Sequence, residues 1–315
     1  MQFITPHQLQ TLLSFPKLVN ILETAFQKDI NVPLRHHHQY SNPTMGVDST
    51  LLLMPAWQTD AFLGLKIVTV SPNNSRLNLP SIQGIYLLFD AKSGSLLAQM
   101  DAKLLTVKRT AAASALAARF LSRADSKTLF MIGTGNLAPH LIAAHASIRP
   151  IERVLVWGRN SQKAQAVVEQ FPDATFSIEV VENIETGIAE ADIISCATLS
   201  EQPLVFGKWL KAGQHIDLVG SYLPHAREAD DEVMRRATIF VDTLEGAIKE
   251  SGDLVIPLRN GIIKMVDVKT DLFGLCRKEH RGRKTAEEIT VFKSVGHGLE
   301  DLAAAEFVYE KLAKS

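Results

Sequence analysis

The stretch from Thr128 to Asn160, TLFMIGTGNLAPHLIAAHASIRPIERVLVWGRN, constrains the fold more than any other part of the chain. A short apolar run, Leu129 to Ile132, has the length and composition of a buried strand. The chain then passes through Gly133, Gly135 and Ala138 into a segment of helical period that Pro150 closes. A second apolar run, Val154 to Trp157, ends in Gly158, Arg159 and Asn160. Strand, glycine turn, helix and strand in this order predict a dinucleotide-binding βαβ unit carrying the G-x-G-x-x-A form of its fingerprint. The glycines let backbone N–H groups at the helix N-terminus approach a pyrophosphate, so Gly133, Gly135 and Ala138 are expected at the cofactor.

The rest of the composition narrows the setting. A chain of 315 residues, 46% hydrophobic, is long enough for two domains. Its formal net charge of -1 argues against nucleic acid as the main partner. Cys196 and Cys276 are too few for a disulfide framework, which suits a reducing cytoplasm. The amino terminus lacks the basic and apolar regions of a signal peptide, and no apolar run approaches the ~20 residues needed to span a bilayer. A cytoplasmic protein with no membrane partner is therefore expected.

Ahead of the fingerprint, Thr5 and Pro6 make a good helix start, and a second helix is expected over Lys17 to Gln27. The segment Val32 to Ser49 reads as loop or irregular strand and carries Arg35, His36, His37 and His38. The three histidines do not predict a metal, because neighbours on one strand point to opposite faces and no Asp, Glu or Cys stands at ligand spacing. Thr50 to Met54, Gly64 to Val70, Ile85 to Asp90 and Ser95 to Met100 are β-like, the last two joined as a hairpin, and suggest a sheet separate from the dinucleotide domain. Lys66 sits inside the apolar run GLKIVTV, where its charge must either reach solvent from an edge strand or meet an anion. A helix is expected from about Thr106 through VKRTAAASALAARFL. Arg109 and Thr110 would then fall in its first turns, where a cation opposes the helix dipole unless it serves an anion held there; the plainer alternative pairs Arg109 with Asp101. The polar connection Ser122 to Lys127 is the expected domain boundary.

Beyond Asn160, a helix over Ser161 to Gln170 and β-like runs at Ser177 to Val181, Asp192 to Cys196, Ile216 to Val219 and Ile239 to Val241 predict an α/β, Rossmann-type doubly wound, mostly parallel sheet. Thr198 and the loop Gly220 to Pro224 follow the carboxyl ends of two of these strands, the edge where ligands bind in such sheets. Asp217, inside HIDLVG, reads as structural. The tail from Gly298 to Lys314 reads as one amphipathic helix. No carboxylate follows the second strand of the fingerprint, where an acid would hydrogen-bond the ribose of NAD; Arg159 and Asn160 stand there, and a guanidinium suits a 2′-phosphate. The expected cofactor is NADPH, with some use of NADH.

The segments LLLMPAW (51 to 57), GLKIVTV (64 to 70), LPSIQGIYLLFDAKSGSLLAQMDAKLLTVKRTAAASALAA (79 to 118), IGTGNLA (132 to 138), WGRN (157 to 160) and FKSVGHGLED (292 to 301) resemble the ornithine cyclodeaminase and mu-crystallin family along nearly the whole chain. The resemblance implies a homodimer with two domains. Residues 1–121 plus 298–315 would form an α+β substrate and dimerisation domain, and 122–297 the NAD(P)-binding domain. It also implies a clamp on a substrate carboxylate by Arg35, Lys66 and Arg109. Nicotinamide-side contacts would come from Ser81, Gln83, Thr110, Thr198 and the turn Val295 to His297, with Asn136 and Leu137 at the pyrophosphate.

One departure from the family pattern bears on the reaction. Cyclodeaminases carry an Asp two residues after the glycine of the loop that here reads Gly220, Ser221, Tyr222. With Tyr222 in that place, no general base is available there at neutral pH. The resemblance then implies a reductase of a cyclic imino acid, Δ1-pyrroline-2-carboxylate to proline, with Δ1-piperideine-2-carboxylate to pipecolate beside it. Tyr222 or one of His36 to His38 is a candidate proton donor. The alternatives are a cyclodeaminase or amino-acid dehydrogenase of the family, and a mu-crystallin-like protein that binds NADPH and a carboxylate ligand.

Overall fold

The computed structural model describes residues 1–314. It divides into two compact units, Met1–Thr110 together with the chain from His297 onward, and Ala111–Gly296. No described helix is long and apolar enough to cross a membrane.

The first unit is built on six strands: β1 (Gln2–Ile4), β2 (His36–Tyr40), β3 (Ser49–Trp57), β4 (Phe62–Val70), β5 (Ile82–Asp90) and β6 (Leu96–Asp101). They lie in the order β1-β6-β5-β4-β3-β2, antiparallel except for the parallel β1–β6 pair. Period-two alternation sets the two faces. Ala56, Tyr86, Leu88, Ala98 and Met100 are buried on one face. The carboxy-terminal helix Gly298–Ala313 packs on β3, β4 and the helix Phe15–Ala25. Leu51, Leu53, Leu65, Ile67, Leu87 and Phe89 stand on the other face and remain half-exposed. The helix Pro6–Leu12 begins with a capping box in which the Gln8 N–H donates to Thr5 Oγ1 (3.3 Å) and the Thr5 N–H donates to Gln8 Oε1 (2.9 Å).

Two expectations change here. The segment holding the histidines pairs as β2 against β3, with His36 opposite Leu53 and His38 opposite Leu51. The long helix starts at Ala102, four residues before Thr106, because Asp101 Oδ1 accepts the Leu104 N–H at 2.6 Å and caps it. Arg109 and Thr110 therefore lie two turns inside the helix Ala102–Leu121, away from its N-terminal dipole, and Asp101 serves as the cap and not as the partner of Arg109.

The second unit is an entirely parallel sheet of eight strands: β7 (Thr128–Ile132), β8 (Arg153–Trp157), β9 (Ser177–Val180), β10 (Ile193–Cys196), β11 (His215–Leu218), β12 (Thr238–Val241), β13 (Val268–Asp271) and β14 (Thr290–Lys293). Their order is β13-β12-β14-β11-β10-β7-β8-β9. The chain proceeds outward from β7 through β8 to β9, then returns to pair β10 on the other side of β7, which makes β7/β10 the topological switch point. Every residue of β10, β11 and β14 is buried, as strands covered on both faces require. Asp217 accepts a hydrogen bond from Ser195 Oγ at 2.7 Å and lies 3.2 Å from His145 Nε2, a buried structural network.

The units divide between Thr110 and Ala111, inside the long helix and ahead of the polar connection Ser122 to Lys127. Two arginines of the second unit explain this. Arg149 donates to the carbonyls of Ala118 (2.9 Å) and Arg119 (2.8 Å), and Arg283 Nε to that of Leu121 (2.6 Å). The end of the helix is thereby fastened to the parallel-sheet unit through carbonyls that have no intrahelical partner.

Candidate active site

In the parallel-sheet unit, Gly133 follows β7 with φ +122°, a conformation L side chains rarely adopt, and its N–H donates to Trp157 O at 2.9 Å. A side chain there would collide with the Ala197 carbonyl, so the turn after β7 and the loop after β10 meet closely at the switch point. Gly135 is exposed, and a Cβ built on it meets nothing within 4 Å. The helix Ala138–Ala146 opens with Pro139, which has no N–H, and the Ala138 N–H is engaged by Gly135 O at 3.0 Å. An anion at this helix is therefore left with the N–H groups of the turn, at Gly135, Asn136 and Leu137. An open glycine turn with free backbone donors at a switch point fits a dinucleotide pyrophosphate.

The turn after β8 lies beside it, since a Cβ on Gly158 would come 2.5 Å from Thr134 Cγ2. Arg159 is exposed at this place. Asn160 Oδ1 accepts the Lys163 N–H at 3.0 Å, so its side chain caps the helix Ser161–Val168.

The loops after β10 and β11 are held by one carboxylate that sequence reasoning did not single out. Glu228 Oε1 accepts the Thr198 N–H (2.7 Å) and Thr198 Oγ1 (3.0 Å), and Oε2 accepts the N–H groups of Gly220 (2.7 Å) and Ser221 (3.3 Å). Asp253 in turn accepts the Glu228 and Ala229 N–H groups at 2.8 and 3.0 Å, and Lys293 Nζ lies 3.1 Å from Asp253 Oδ2. All three side chains are buried. Burial pushes the Glu228 carboxyl up, opposed by the charge of Lys293. Asp242 Oδ2 holds the following turn by accepting from Ser294 Oγ and the N–H groups of Val295 and Gly296 at 2.7 to 3.0 Å. Tyr222 is exposed on its loop.

In the first unit, the structure brings Lys66 and Arg109 together around a second pair of unanticipated carboxylates. Lys66 Nζ lies 2.6 Å from Asp301 Oδ2; Arg109 Nε lies 3.1 Å from Asp301 Oδ1 and Nη1 2.6 Å from Glu300 Oε2. None of the four residues is more than 5% exposed. Lys66 stands on a central strand, so the edge-strand alternative falls, and the surface pairing of Arg109 falls with it. Burial and the neighbouring Arg109 lower the Lys66 ammonium to about 8 against the opposing pull of Asp301, and Arg35 lowers it further. Burial works against the charge of Asp301, but Arg109 and Lys66 outweigh it and hold the carboxyl below its ordinary range.

The sheet register explains how Arg35 joins them. Met54 pairs with Lys66 and Lys66 with Tyr86, while His36 pairs with Leu53. Continuing that register by one residue brings Arg35 level with Met54 and Lys66. The same alternation places His37 on the Lys66 face and His36 and His38 on the opposite one. Burial and the nearby Arg35 lower the His37 imidazole. Tyr86 shares the Lys66 face; burial, with the charge of Asp301 second, raises its phenol well above its usual value. No group of three or more His, Cys, Asp or Glu among the described residues could hold a metal ion.

Ser81 and Gln83 lie at the exposed start of β5, Thr110 is half-buried in the long helix, and His297 precedes the carboxy-terminal helix. The signal for Glu300 and Asp301 was present in FKSVGHGLED. There an acidic pair in a first helical turn reads as dipole-favoured surface charge, which hid its buried role.

A glycine turn at the switch point of a doubly wound parallel sheet, with a separate unit carrying a buried cationic cluster, defines a nicotinamide-dinucleotide oxidoreductase. The profile of the ornithine cyclodeaminase/mu-crystallin family matches residues 2–315, and the chain belongs to that family. It is 36% identical over 318 residues to a Δ1-pyrroline-2-carboxylate reductase of Colwellia psychrerythraea, covering 99% of this chain and 100% of the relative. Among solved structures it is similar to the Δ1-pyrroline-2-carboxylate reductase of Thermococcus litoralis in complex with NADH and L-proline, with a TM-score of 0.93 at 33% identity over 100% of this chain and 98% of that one. It is also similar to an archaeal alanine dehydrogenase dimer with bound NAD, with a TM-score of 0.91 at 29% identity over 100% of this chain and 97% of that one.

Proposed function

We propose that the protein reduces Δ1-pyrroline-2-carboxylate to L-proline, and Δ1-piperideine-2-carboxylate to L-pipecolate, with NADPH used ahead of NADH. The observation that carries this reading is the buried cluster of Lys66 and Arg109 with Arg35 in register beside it, a site for one small α-carboxylate. Charge-assisted bonds from these cations fix the carboxylate and hence the ring attached to it. With its carboxylate clamped, the ring imine is held as the protonated iminium, whose C2 is the electrophile. The reduced nicotinamide, when bound, supplies the hydride to that carbon. The chain's own work is to orient the ring, keep water away and hold the anion, which is proximity and electrostatics without a side-chain nucleophile.

Tyr222 occupies the loop position of the cyclodeaminase aspartate, which speaks for reduction over cyclodeamination. Among the three histidines, His37 is the candidate proton donor to the imine nitrogen, because only it shares a face with Lys66. The N–H groups of Gly135, Asn136 and Leu137 serve the pyrophosphate, Gly133 and Ala138 shape the turn that presents them, and Arg159 serves a 2′-phosphate, with Asn160 acting through the cap it makes. Ser81, Gln83, Thr110, Thr198, Val295 and His297 serve the nicotinamide side. The unit containing β1 to β6 acts as the substrate and dimerisation domain. Its half-exposed apolar face, Leu51 to Phe89, is the kind of surface a second copy of the chain covers. Two buried cysteines that form no disulfide suit a cytoplasmic setting. The test is NADPH oxidation, followed at 340 nm, with the cyclic imine as substrate. Steady consumption with formation of proline is expected, and its absence at all pH values would leave only a binding role.

A further inference from the structure

The loops after β10 and β11, proposed for the nicotinamide side, are held by one buried carboxylate. Glu228 offers four lone-pair positions, and four donors fill them: the Thr198 N–H and Oγ1 on Oε1, and the N–H groups of Gly220 and Ser221 on Oε2. The Cys196 thiol, at the end of β10, faces the same carboxyl. A protonated Glu228 would turn an O–H against one of these donors and break at least one tie to the loops. The arrangement therefore works only with the carboxylate ionised, yet Glu228 is fully buried, which favours the neutral acid. Lys293 stands opposite. It reaches from the end of β14 to place Nζ 3.1 Å from Asp253 Oδ2 and 3.9 Å from Glu228 Oε2, and is itself fully buried. Its ammonium makes no well-directed hydrogen bond to a described residue, so it braces nothing mechanically. What it brings to the site is charge. The other charged group there, Asp253, holds the Glu228 and Ala229 N–H groups from the helix Gly252–Arg259 and works against the ionisation of Glu228.

We propose that Lys293 is a positioning residue of the cofactor site: its charge keeps Glu228 ionised, and the ionised Glu228 holds the two loops in the form that receives the nicotinamide ring. This rests on the reading of those loops as the nicotinamide side. Neutralising Glu228 loosens both loops together, so the nicotinamide end of the cofactor loses affinity while the pyrophosphate, seated at the glycine turn after β7, does not. At ~4 Å and an effective dielectric of ~20, a unit charge biases an ionisation by up to ~1000-fold. A carboxylate that loses its cation takes up a proton at higher pH. Without Lys293, the pH below which the loops loosen should thus rise by ~1–3 units.

The experiment measures, by calorimetry between about pH 8 and pH 5, the affinities of the protein for NADP+ and for 2′-phospho-ADP-ribose, the same molecule without the nicotinamide ring. Groups away from the nicotinamide end act on both ligands and cancel in the ratio. In the wild-type protein NADP+ is expected to bind the tighter at pH 8. In Lys293→Met, which keeps the stem of the side chain and removes its charge, this advantage is expected to be lost at a pH ~1–3 units higher than in wild type, with the affinity for 2′-phospho-ADP-ribose unchanged within a few-fold. In Lys293→Met/Glu228→Gln the ratio should no longer vary with pH. The same pH dependence in Lys293→Met as in wild type, or an equal loss for both ligands, overturns the proposal and leaves the nicotinamide reading of the loops standing. Equal binding of the two ligands by the wild-type protein at pH 8 removes that reading and the proposal with it. Where Lys293→Met does not fold, the wild-type protein decides by infrared absorption at pH 8. A protonated-carboxyl band that Glu228→Gln abolishes overturns the proposal, and its absence, with an acid-side loss of the NADP+ advantage, supports it.

Discussion

Replacing Arg109 by Met tests the cluster as a physical unit. Arg109 is 5% exposed and makes ion pairs of 2.6 Å to Glu300 and 3.1 Å to Asp301, so its removal takes a cation away from two buried carboxylates. Breaking a buried pair from one side costs ~3–5 kcal/mol, chiefly the desolvation of the stranded charge. Because the burial is nearly complete, no discount for solvent screening applies. Such a loss is a large share of the ~5–15 kcal/mol that holds a domain folded, and it should lower the thermal midpoint by roughly 10 °C. Adding Glu300→Gln to Arg109→Met removes one stranded charge and should restore part of the loss, with a coupling energy of ~1–3 kcal/mol in the double-mutant cycle. Urea and thermal unfolding of the four proteins, followed by circular dichroism, supply the numbers. Where Arg109→Met remains folded, kcat/KM for the cyclic imine should fall by a further ~2–4 kcal/mol of transition-state stabilisation. An Arg109→Met protein as stable as wild type, with zero coupling to Glu300, would refute the reasoning.

Three other outcomes follow from the same geometry. The lowered Lys66 pKa of about 8 means that its charge is present below that pH and lost above it. Affinity for cyclopentene-1-carboxylate, which carries no titrating nitrogen, should therefore weaken above pH 8 by up to ~10-fold per pH unit; constant affinity from pH 7 to 10 would contradict this. Arg159→Ala should raise KM for NADPH by ~5–30-fold and leave NADH nearly unaffected, since it removes a charge-assisted bond to the 2′-phosphate alone; equal effects on both cofactors would return Arg159 to a solvent-facing role. Glu228→Gln places an amide N–H₂ against one of the loop N–H donors it now accepts, and should weaken NADPH binding without changing affinity for 2′,5′-ADP, which lacks the nicotinamide end. A uniform loss for both ligands would show a general stabilising role instead.

Local chemistry made much of this protein legible in advance. The glycine turn, the apolar runs of β7 and β8 and the cap at Asn160 are short-range features written within a few residues of one another, and the parallel strands appear as continuous apolar stretches because both their faces are covered. Lys66 announced itself by being charged on an apolar strand. Strand β14 escaped notice because TVFK ends in a lysine, and only the buried Asp253 beside it makes that residue admissible. The helix start was misplaced because Asp101 reads as a surface partner for Arg109 until its cap to Leu104 is seen.

Residue type and spacing along the chain determined the dinucleotide unit and marked Lys66 as a charge out of place on an apolar strand, and the likeness of whole segments carried the family. The tertiary structure decided how Lys66 and Arg109 are paired. Asp301 stands 235 residues from Lys66 and 192 from Arg109, and Glu228 joins two loops from 30 and 8 residues away. A carboxylate near a helix start looks like ordinary surface charge in one dimension. Burial beside distant cations makes it part of a site, because only there is each charge too costly to leave unmatched.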